Sequence, residues 1–345
     1  MMGSVEAIGI VSGGLDSALA VALIKRQGLE ILGLHFFNGF SPNAMRKEVE
    51  GPEALESFLD DKAAALTESL GIPVEMVDIS GEYLELLLSP EHGYGSQVNP
   101  CIDCRIDMLR RAAGRMRSEG AEFVFTGEVL GQRPMSQHRG AMNTVERESG
   151  LRGRLVRPLS AKLLPETIPE RDGLLDRSLL LDIQGRSRKR QIALADEYGI
   201  TGYSQPAGGC VLTDENYGRK FREMIERDGA SVLSRRMSVL LAIGRHFRLE
   251  GGARVVVGRN RTENHYIERS FPREWLAVPV ECPGPTTLVL GEVVRKDLET
   301  AAAFTARYSD CKREGSVRIR IAREGEELLV DAPPAADGEL ERYRI

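Results

Sequence analysis

Val5-Glu6-Ala7-Ile8-Gly9-Ile10-Val11-Ser12-Gly13-Gly14-Leu15-Asp16-Ser17-Ala18-Leu19-Ala20-Val21-Ala22-Leu23 changes its periodicity halfway along. Val5 to Val11 is a short apolar run of buried-strand type. Ser12-Gly13-Gly14 breaks it, and Ala18, Leu19, Val21, Ala22 and Leu23 then recur at helical spacing up to Gly28. Further along, Ile31 to Phe37 reads as a second strand and Phe58 to Leu70 as a second helix. Val74 to Asp78 reads as a third strand after the turn Gly71-Ile72-Pro73. Strands and helices in alternation, joined by short turns, predict an α/β fold with a doubly wound parallel sheet. The polar segment 41–57 reads as a mobile loop over the first sheet edge.

A helix rich in arginine is expected after Cys101, a strand over Glu122 to Gly127, and the last strand of this sheet over Leu155 to Leu159. A basic helix falls within 174–205. From residue 250 onward the pattern becomes rich in strands, as in Ala253-Arg254-Val255-Val256-Val257-Gly258 and Thr287-Leu288-Val289-Leu290-Gly291. Three regions are therefore expected: the parallel-sheet domain over 1–165, a basic helical region over 166–248 that carries a third cysteine, and a smaller strand-rich domain over 249–345. Asp331 to Gly338, with Pro333-Pro334 and several alanines, reads as a frayed end. No internal repeat is visible.

The chain has 345 residues, enough for two or three domains, and its 42% hydrophobic and 28% charged residues exclude a disordered chain. Apolar runs of only a few residues argue against a membrane span. The N-terminal Met1-Met2-Gly3-Ser4-Val5-Glu6 lacks the basic and apolar regions of a signal peptide, so a cytoplasmic location is expected. Five cysteines are too few for a secreted disulfide scaffold of this size. The net charge of -5 is unevenly spread: residues 1–100 hold 5 Lys+Arg against 15 Asp+Glu, whereas residues 101–248 hold 26 against 19. That basic middle third can track a phosphate backbone or simply form solvated helix faces.

Ser12-Gly13-Gly14-Leu15-Asp16-Ser17 lies between the first strand and the first helix. Paired glycines allow positive φ and a close backbone approach. Their amides and those of the helix N-terminus would converge on an anion, with Ser12 and Ser17 adding hydroxyls. Asp16 would repel a phosphate unless Mg2+ sits between them. The plain alternative is a glycine turn with Asp16 as helix N-cap. The stretch resembles the SGGxDS loop of the PP-loop ATP pyrophosphatases, and this sequence lacks the Walker A pattern. The resemblance implies the adenine nucleotide alpha hydrolase-like sheet and ATP with Mg2+. It also implies that Ser12, Gly13, Gly14, Asp16 and Ser17 hold the β and γ phosphates. Residues near Ile10 and His35-Phe36-Phe37 would frame the adenosine, although Phe36 and Phe37 serve equally well as core.

Asn99-Pro100-Cys101-Ile102-Asp103-Cys104-Arg105 sits before a helix, and Cys210 follows Gly208-Gly209. A Cys-x-x-Cys pair brings two sulfurs onto one turn, able to share a metal or form a disulfide. A helix N-terminus behind the pair and Arg105 beside it would favour thiolate. Two ligands are too few for zinc. Cys282 and Cys311 read as buried spare cysteines without partners. The arrangement resembles the tRNA 2-thiouridylases, whose Asn-Pro-x-x-x-Cys and Gly-x-Cys segments match Cys104 and Cys210. Cys101 stands where many relatives carry aspartate. The three thiolates, Cys101, Cys104 and Cys210, match the ligand count of PP-loop sulfurtransferases that use a [4Fe–4S] cluster. The competing chemistry is a persulfide on one cysteine, resolved by another.

Thr126-Gly127-Glu128-Val129-Leu130-Gly131-Gln132-Arg133-Pro134-Met135-Ser136-Gln137 resembles a stretch of the tRNA 4-thiouridine synthetases, which adds Gly127 to the nucleotide site. Arg157-Pro158-Leu159 with Lys162 is similar to a stretch both families carry. Arg105, Arg110, Arg111, Arg115 and Arg117, and the cluster Arg186, Arg188, Lys189 and Arg190, would hold tRNA phosphates. Val257-Gly258-Arg259-Asn260-Arg261-Thr262-Glu263-Asn264 resembles the NFACT-R type RNA-binding module. Together these resemblances imply an ATP-dependent tRNA sulfurtransferase, with Asp16, Cys104 and Cys210 catalytic. Its partners would be tRNA and a sulfur donor, either free sulfide or a persulfide carrier, with no membrane. Thiolation of a small molecule is the first alternative. The second is a non-catalytic RNA-binding protein whose ATP loop is vestigial.

Overall fold

Residues 4–201, 203 and 209–345 are described in the computed structural model of the chain. They form two units, one of Met1–Ser41 with Glu56–Cys210 and the other of Pro42–Leu55 with Val211–Ile345. In chain order the first part runs β1 (Ala7–Ile10), α1 (Leu15–Lys25), β2 (Ile31–Phe37), α2 (Pro42–Glu50), α3 (Pro52–Leu70), β3 (Val74–Asp78), α4 (Tyr83–Leu88) and α5 (Cys101–Glu119). It continues with β4 (Phe123–Thr126), α6 (Arg139–Glu148), β5 (Leu155–Val156), α7 (Ile168–Arg171) and α8 (Lys189–Glu197).

The first unit holds a parallel sheet of order β3-β2-β1-β4-β5. β1 is buried on both faces, so its residues alternate between two cores instead of between core and water. Ile8 and Ile10 point to the side covered by Ile106, Leu109, Ala112 and Ala113 of α5. Ala7 and Val11 point to the side covered by Ala20, Val21 and Ile24 of α1. The strand order reverses between β1 and β4. In open α/β sheets ligands bind at that crevice, beyond the carboxyl ends of the strands. Both loops singled out in the sequence, 12–17 after β1 and 126–137 after β4, begin there.

The remaining elements are α9 (Glu215–Asp228), α10 (Arg235–Ala242), β6 (Arg245–Arg248), β7 (Arg254–Val257), α11 (Arg261–Ser270), β8 (Trp275–Pro279), β9 (Thr287–Leu290), α12 (Arg295–Tyr308), β10 (Val317–Arg323), β11 (Glu326–Ala332) and α13 (Asp337–Tyr343). They build a six-stranded antiparallel sheet of order β11-β10-β8-β9-β7-β6. Val317, Ile319 and Ile321 of β10 face its core together with Leu298, Ala302 and Phe304 of α12. Arg318 and Arg320 lie on the exposed side. The α/β class with a parallel sheet and a separate strand-rich domain is therefore as expected.

Three expectations are corrected. Segment 41–57 is not a loop: it forms α2 and the start of α3, with Ala44, Met45 and Val49 buried along α2. The segment 331–338 is not frayed, because Ala332 and Ala335 are buried and α13 starts at Asp337. Cys282 and Cys311 are not spare cysteines but are bonded to each other as a disulfide. The stretch 204–208 of the basic region lies outside the described residues.

Candidate functional site

The loop after β1 is organised by its own hydroxyls. Ser12 Oγ lies 3.3 Å from Ser17 Oγ and accepts from the Gly14 amide at 3.3 Å. Ser17 Oγ donates to the Gly14 carbonyl at 2.9 Å. Gly13 has φ 78°, a conformation that suits glycine, and Gly14 is the N-cap of α1 without a side-chain cap. Asp16 is therefore inside the first turn and is not the N-cap. Its Oδ2 accepts from Gln132 Nε2 at 2.7 Å, and its Oδ1 is buried with no hydrogen-bond partner. A buried orphan carboxylate oxygen beside a helix N-terminus has the chemistry of a divalent-cation ligand.

Gln132 is itself held. Gln191 of α8, with no exposed surface, donates to Gln132 Oε1 at 3.3 Å. Gly127 touches the loop from the β4 side: a Cβ there would stand 2.5 Å from the Asp16 carbonyl carbon. Glycine at 127 thus lets the two loops meet. Beneath it, buried Glu128 receives Arg157 at 3.0 Å and Arg105 at 3.1 Å. Burial alone would push the Glu128 carboxyl up, but these two guanidiniums outweigh it and hold it below its ordinary value. Arg157 also reaches Glu146 at 3.0 Å, and Lys162 donates to the Ser178 carbonyl at 2.7 Å. The Arg-Pro-Leu and lysine stretch is therefore spent on the scaffold.

The free cysteines are Cys101, Cys104 and Cys210. All three act on the phenol of Tyr83, whose pKa is raised by burial and then by these sulfurs. Cys101 is the first residue of α5, and its Sγ accepts from Asn99 Nδ2 at 3.0 Å. The Cys104 thiol is hydrogen-bonded by Tyr83 and Asn38, with Arg105 alongside. Burial nevertheless pushes it above its ordinary pKa. Arg105, which would favour the thiolate, is shared with Glu128. Asn38 follows β2 and Tyr83 begins α4, so Cys104 lies near the carboxyl edge that bears the phosphate loop, with Cys101 and Cys210 within electrostatic reach of the same phenol.

The arginines expected to hold RNA are largely committed within the fold. Arg105 pairs with Glu128, Arg111 with Asp107, and Arg115 with Glu75 and Glu119, while Arg110 donates to the Glu148 carbonyl. Arg190 pairs with Asp182, whereas Arg188 at the start of α8 has a buried Nε without a partner. His35 and Phe37, expected near the adenosine, are buried, and His35 Nδ1 lies 2.7 Å from the Val11 carbonyl. Asn99 belongs to the Asn-Pro-x-x-x-Cys segment, whereas Tyr83, Asn38 and Gln191 were not legible as site residues. Nothing in their spacing marks them, because they reach the site through the tertiary fold. Glu91, His92 and Asp103 also bring potential ligand atoms within 4.8 Å of one another, with the His92 ring between Asp103 at 2.9 Å and Glu148 at 3.4 Å.

In the second unit, the Gly-Arg-Asn stretch serves the scaffold. Asn260 caps α11 by accepting from the Glu263 amide at 3.0 Å. Glu263 accepts from the Gly244 and Arg259 amides at 3.0 and 2.9 Å, and Asn264 donates to the Gly284 carbonyl at 3.2 Å.

A nucleotide-type loop thus follows β1 at the switch point of the parallel sheet, and Cys104 lies near the same edge. Residues 6–141 match the tRNA methyl transferase HUP domain, and residues 244–344 match the NFACT protein RNA binding domain. The chain is thus tRNA 2-thiouridylase-like in its N-terminal part and NFACT-R-like in its C-terminal part, as its motifs implied. It is 29% identical over 230 residues to the tRNA-specific 2-thiouridylase MnmA of Thiobacillus denitrificans, covering 63% of this chain and 56% of that protein. It is 34% identical over 126 residues to the protein of the same name from Flavobacterium johnsoniae, covering 34% of this chain and 30% of that one. The chain spans about half the length, or less, of the curated relatives it matches. A predicted tRNA methyltransferase subunit from Methanocaldococcus jannaschii superimposes with TM-score 0.30 at 13% identity, over 59% of this chain and 93% of that one. No helix among the described residues is long and apolar enough to cross a membrane.

Proposed function

We propose that the protein is an ATP-dependent sulfurtransferase that adenylates a carbonyl oxygen of a tRNA uridine and replaces it with sulfur. The observation that carries this reading is the gathering of Cys101, Cys104 and Cys210 around Tyr83, at the sheet edge that bears the loop 12–17. A nucleotide-hydrolysing fold has no use for three thiols outside any disulfide there. A sulfur-transfer enzyme needs both.

The loop amides and the hydroxyls of Ser12 and Ser17 bind the β and γ phosphates. The uridine carbonyl oxygen attacks the α-phosphorus, the bond from phosphorus to the bridging oxygen breaks, and pyrophosphate leaves. Sulfur then attacks the activated carbon and AMP departs with the former carbonyl oxygen. Activation is needed because a carbonyl oxygen is a poor leaving group. Positioning and charge neutralisation supply most of the rate. Asp16 offers Oδ1 to Mg2+, which when bound would screen the phosphate charge. The three thiols fit a [4Fe–4S] cluster, which when bound would offer an open iron for sulfide. The same cysteines also suit a persulfide: its outer sulfur attacks carbon, a second cysteine thiolate then attacks the inner sulfur, and the S–S bond breaks to leave the outer sulfur on the base and a Cys–Cys disulfide on the protein. The NFACT-R-like module supports tRNA as the substrate over a small molecule.

Anaerobic purification with iron and sulfide analysis tests the route, together with alanine variants of each of the three cysteines. The reading expects Cys104→Ala and Cys210→Ala to abolish thiolation while ATP still binds. A colourless, iron-free protein that thiolates tRNA rejects the cluster in favour of the persulfide. Variants that thiolate normally overturn the sulfur-transfer reading itself.

A further inference from the structure

The phosphate loop contains no cation of its own: Ser12 to Ser17 carry one charge, that of Asp16, and it is negative. Helix α3 passes over this loop. Leu66 packs on Gly13, its Cδ2 standing 3.0 Å from where a Cβ on that glycine would be. Lys62 is one helical turn earlier, so it shares the face of α3 that meets the loop. It also lies close enough to act on the ring of His35, which is held 2.7 Å from the Val11 carbonyl at the point where the loop begins. Lys62 thus lies on the α3 face turned toward residues 11–13, within electrostatic reach of His35.

We infer that Lys62 is a further phosphate-binding residue, whose ammonium contacts the triphosphate of ATP and the pyrophosphate it releases. The inference rests on the ATP-dependent reading above and adds to it a ligand that the loop motif does not contain. Lys62 is partly buried, and among the described residues no carboxylate is paired with it. Desolvation accordingly lowers its pKa from the ordinary lysine value. A desolvated cation without a counter-ion is a poor structural element, but an anionic ligand would supply the missing charge.

Calorimetric titration of the full chain with ATP, inorganic pyrophosphate and AMP tests this, using the wild type, Lys62→Met and Lys62→Arg. Lys62→Met is expected to weaken ATP and pyrophosphate binding by about ten- to a hundred-fold, the loss of one charge-assisted hydrogen bond, and to leave AMP unchanged. Lys62→Arg should restore most of it. The melting temperature of the unliganded Lys62→Met protein should equal or exceed that of the wild type, because the variant removes an uncompensated charge. Unaltered pyrophosphate affinity in Lys62→Met, or an equal loss for AMP, overturns the role of Lys62. A wild type that binds neither ATP nor pyrophosphate overturns the ATP-dependent reading as well.

Discussion

Asp16 has two oxygens with two fates, and Gln132 separates them. The Gln132 amide takes Oδ2 at 2.7 Å while Oδ1 is left buried and unpartnered, and Gln191 fixes the amide from behind. Gln132→Ala should therefore weaken divalent-cation binding by about tenfold, the worth of one hydrogen bond to a charged group. Mn2+ titration followed by electron paramagnetic resonance reads this without any turnover, and unchanged Mn2+ affinity would remove Gln132 from the site. Gly127→Ala is harsher, because the new methyl would meet the Asp16 backbone at 2.5 Å. Overpacking of this kind costs about 1–3 kcal/mol, so lost ATP affinity with a lowered melting temperature is expected. His35 makes a pH statement. Burial first, and then Lys62, lower its pKa from 6.5 to about 4. A histidine depressed on folding stabilises fully above its unfolded pKa, and that stability is lost as pH falls from 6.5 through about 4. The loss approaches about 3 kcal/mol at roughly 1.4 kcal/mol per unit. His35→Gln should flatten the stability profile between those pH values, and an unchanged acid limb would contradict it.

At the scale of elements, β4 and β5 are joined beneath the site by Glu128 and Arg157, both only a few per cent exposed. Removing Arg157 takes one of the two guanidiniums from buried Glu128, which keeps Arg105, and takes the guanidinium from Glu146. Arg157→Leu should thus destabilise the chain by about 1–3 kcal/mol, the cost of buried hydrogen-bonding groups left without a partner, and urea unfolding measures it. A cost near zero would place the pair in contact with water. The strands and helices of the parallel sheet were legible because buried strands read as apolar runs and α1 as a periodic one. Helix α2 was not. Its apolar residues Ala44, Met45 and Val49 are too few to show a period against its charged ones. Pro42 and Pro52 at the first positions of α2 and α3 are the signal that the sequence did offer. The pairing of Cys282 with Cys311 had no local signal, since 29 residues separate them. The three free cysteines were legible as candidates from their motifs. Their meeting at Tyr83 is a product of the fold alone.

The whole molecule couples a parallel-sheet unit with a nucleotide-type loop to a unit of NFACT-R type. The polar residues of the Gly-Arg-Asn stretch are engaged in capping and turn bonds, so in the proposed reading tRNA contact falls to exposed cations. Lys312 and Arg313 are exposed and have no ion-pair partner among the described residues. Reversing both charges should weaken tRNA retention and flatten its salt dependence by about two phosphate contacts, with ATP affinity unchanged. Equal retention at all salt concentrations would move the RNA surface elsewhere. The central claim joins ATP cleavage to sulfur insertion, and one measurement addresses it directly. The protein is incubated anaerobically with ATP, a sulfide source and unmodified tRNA, and the digested nucleosides are weighed by mass spectrometry as pyrophosphate is counted. A uridine that has exchanged one oxygen for sulfur, formed once per pyrophosphate released and absent with Cys104→Ala, is the predicted result. Pyrophosphate released while every uridine keeps its oxygen would contradict the account.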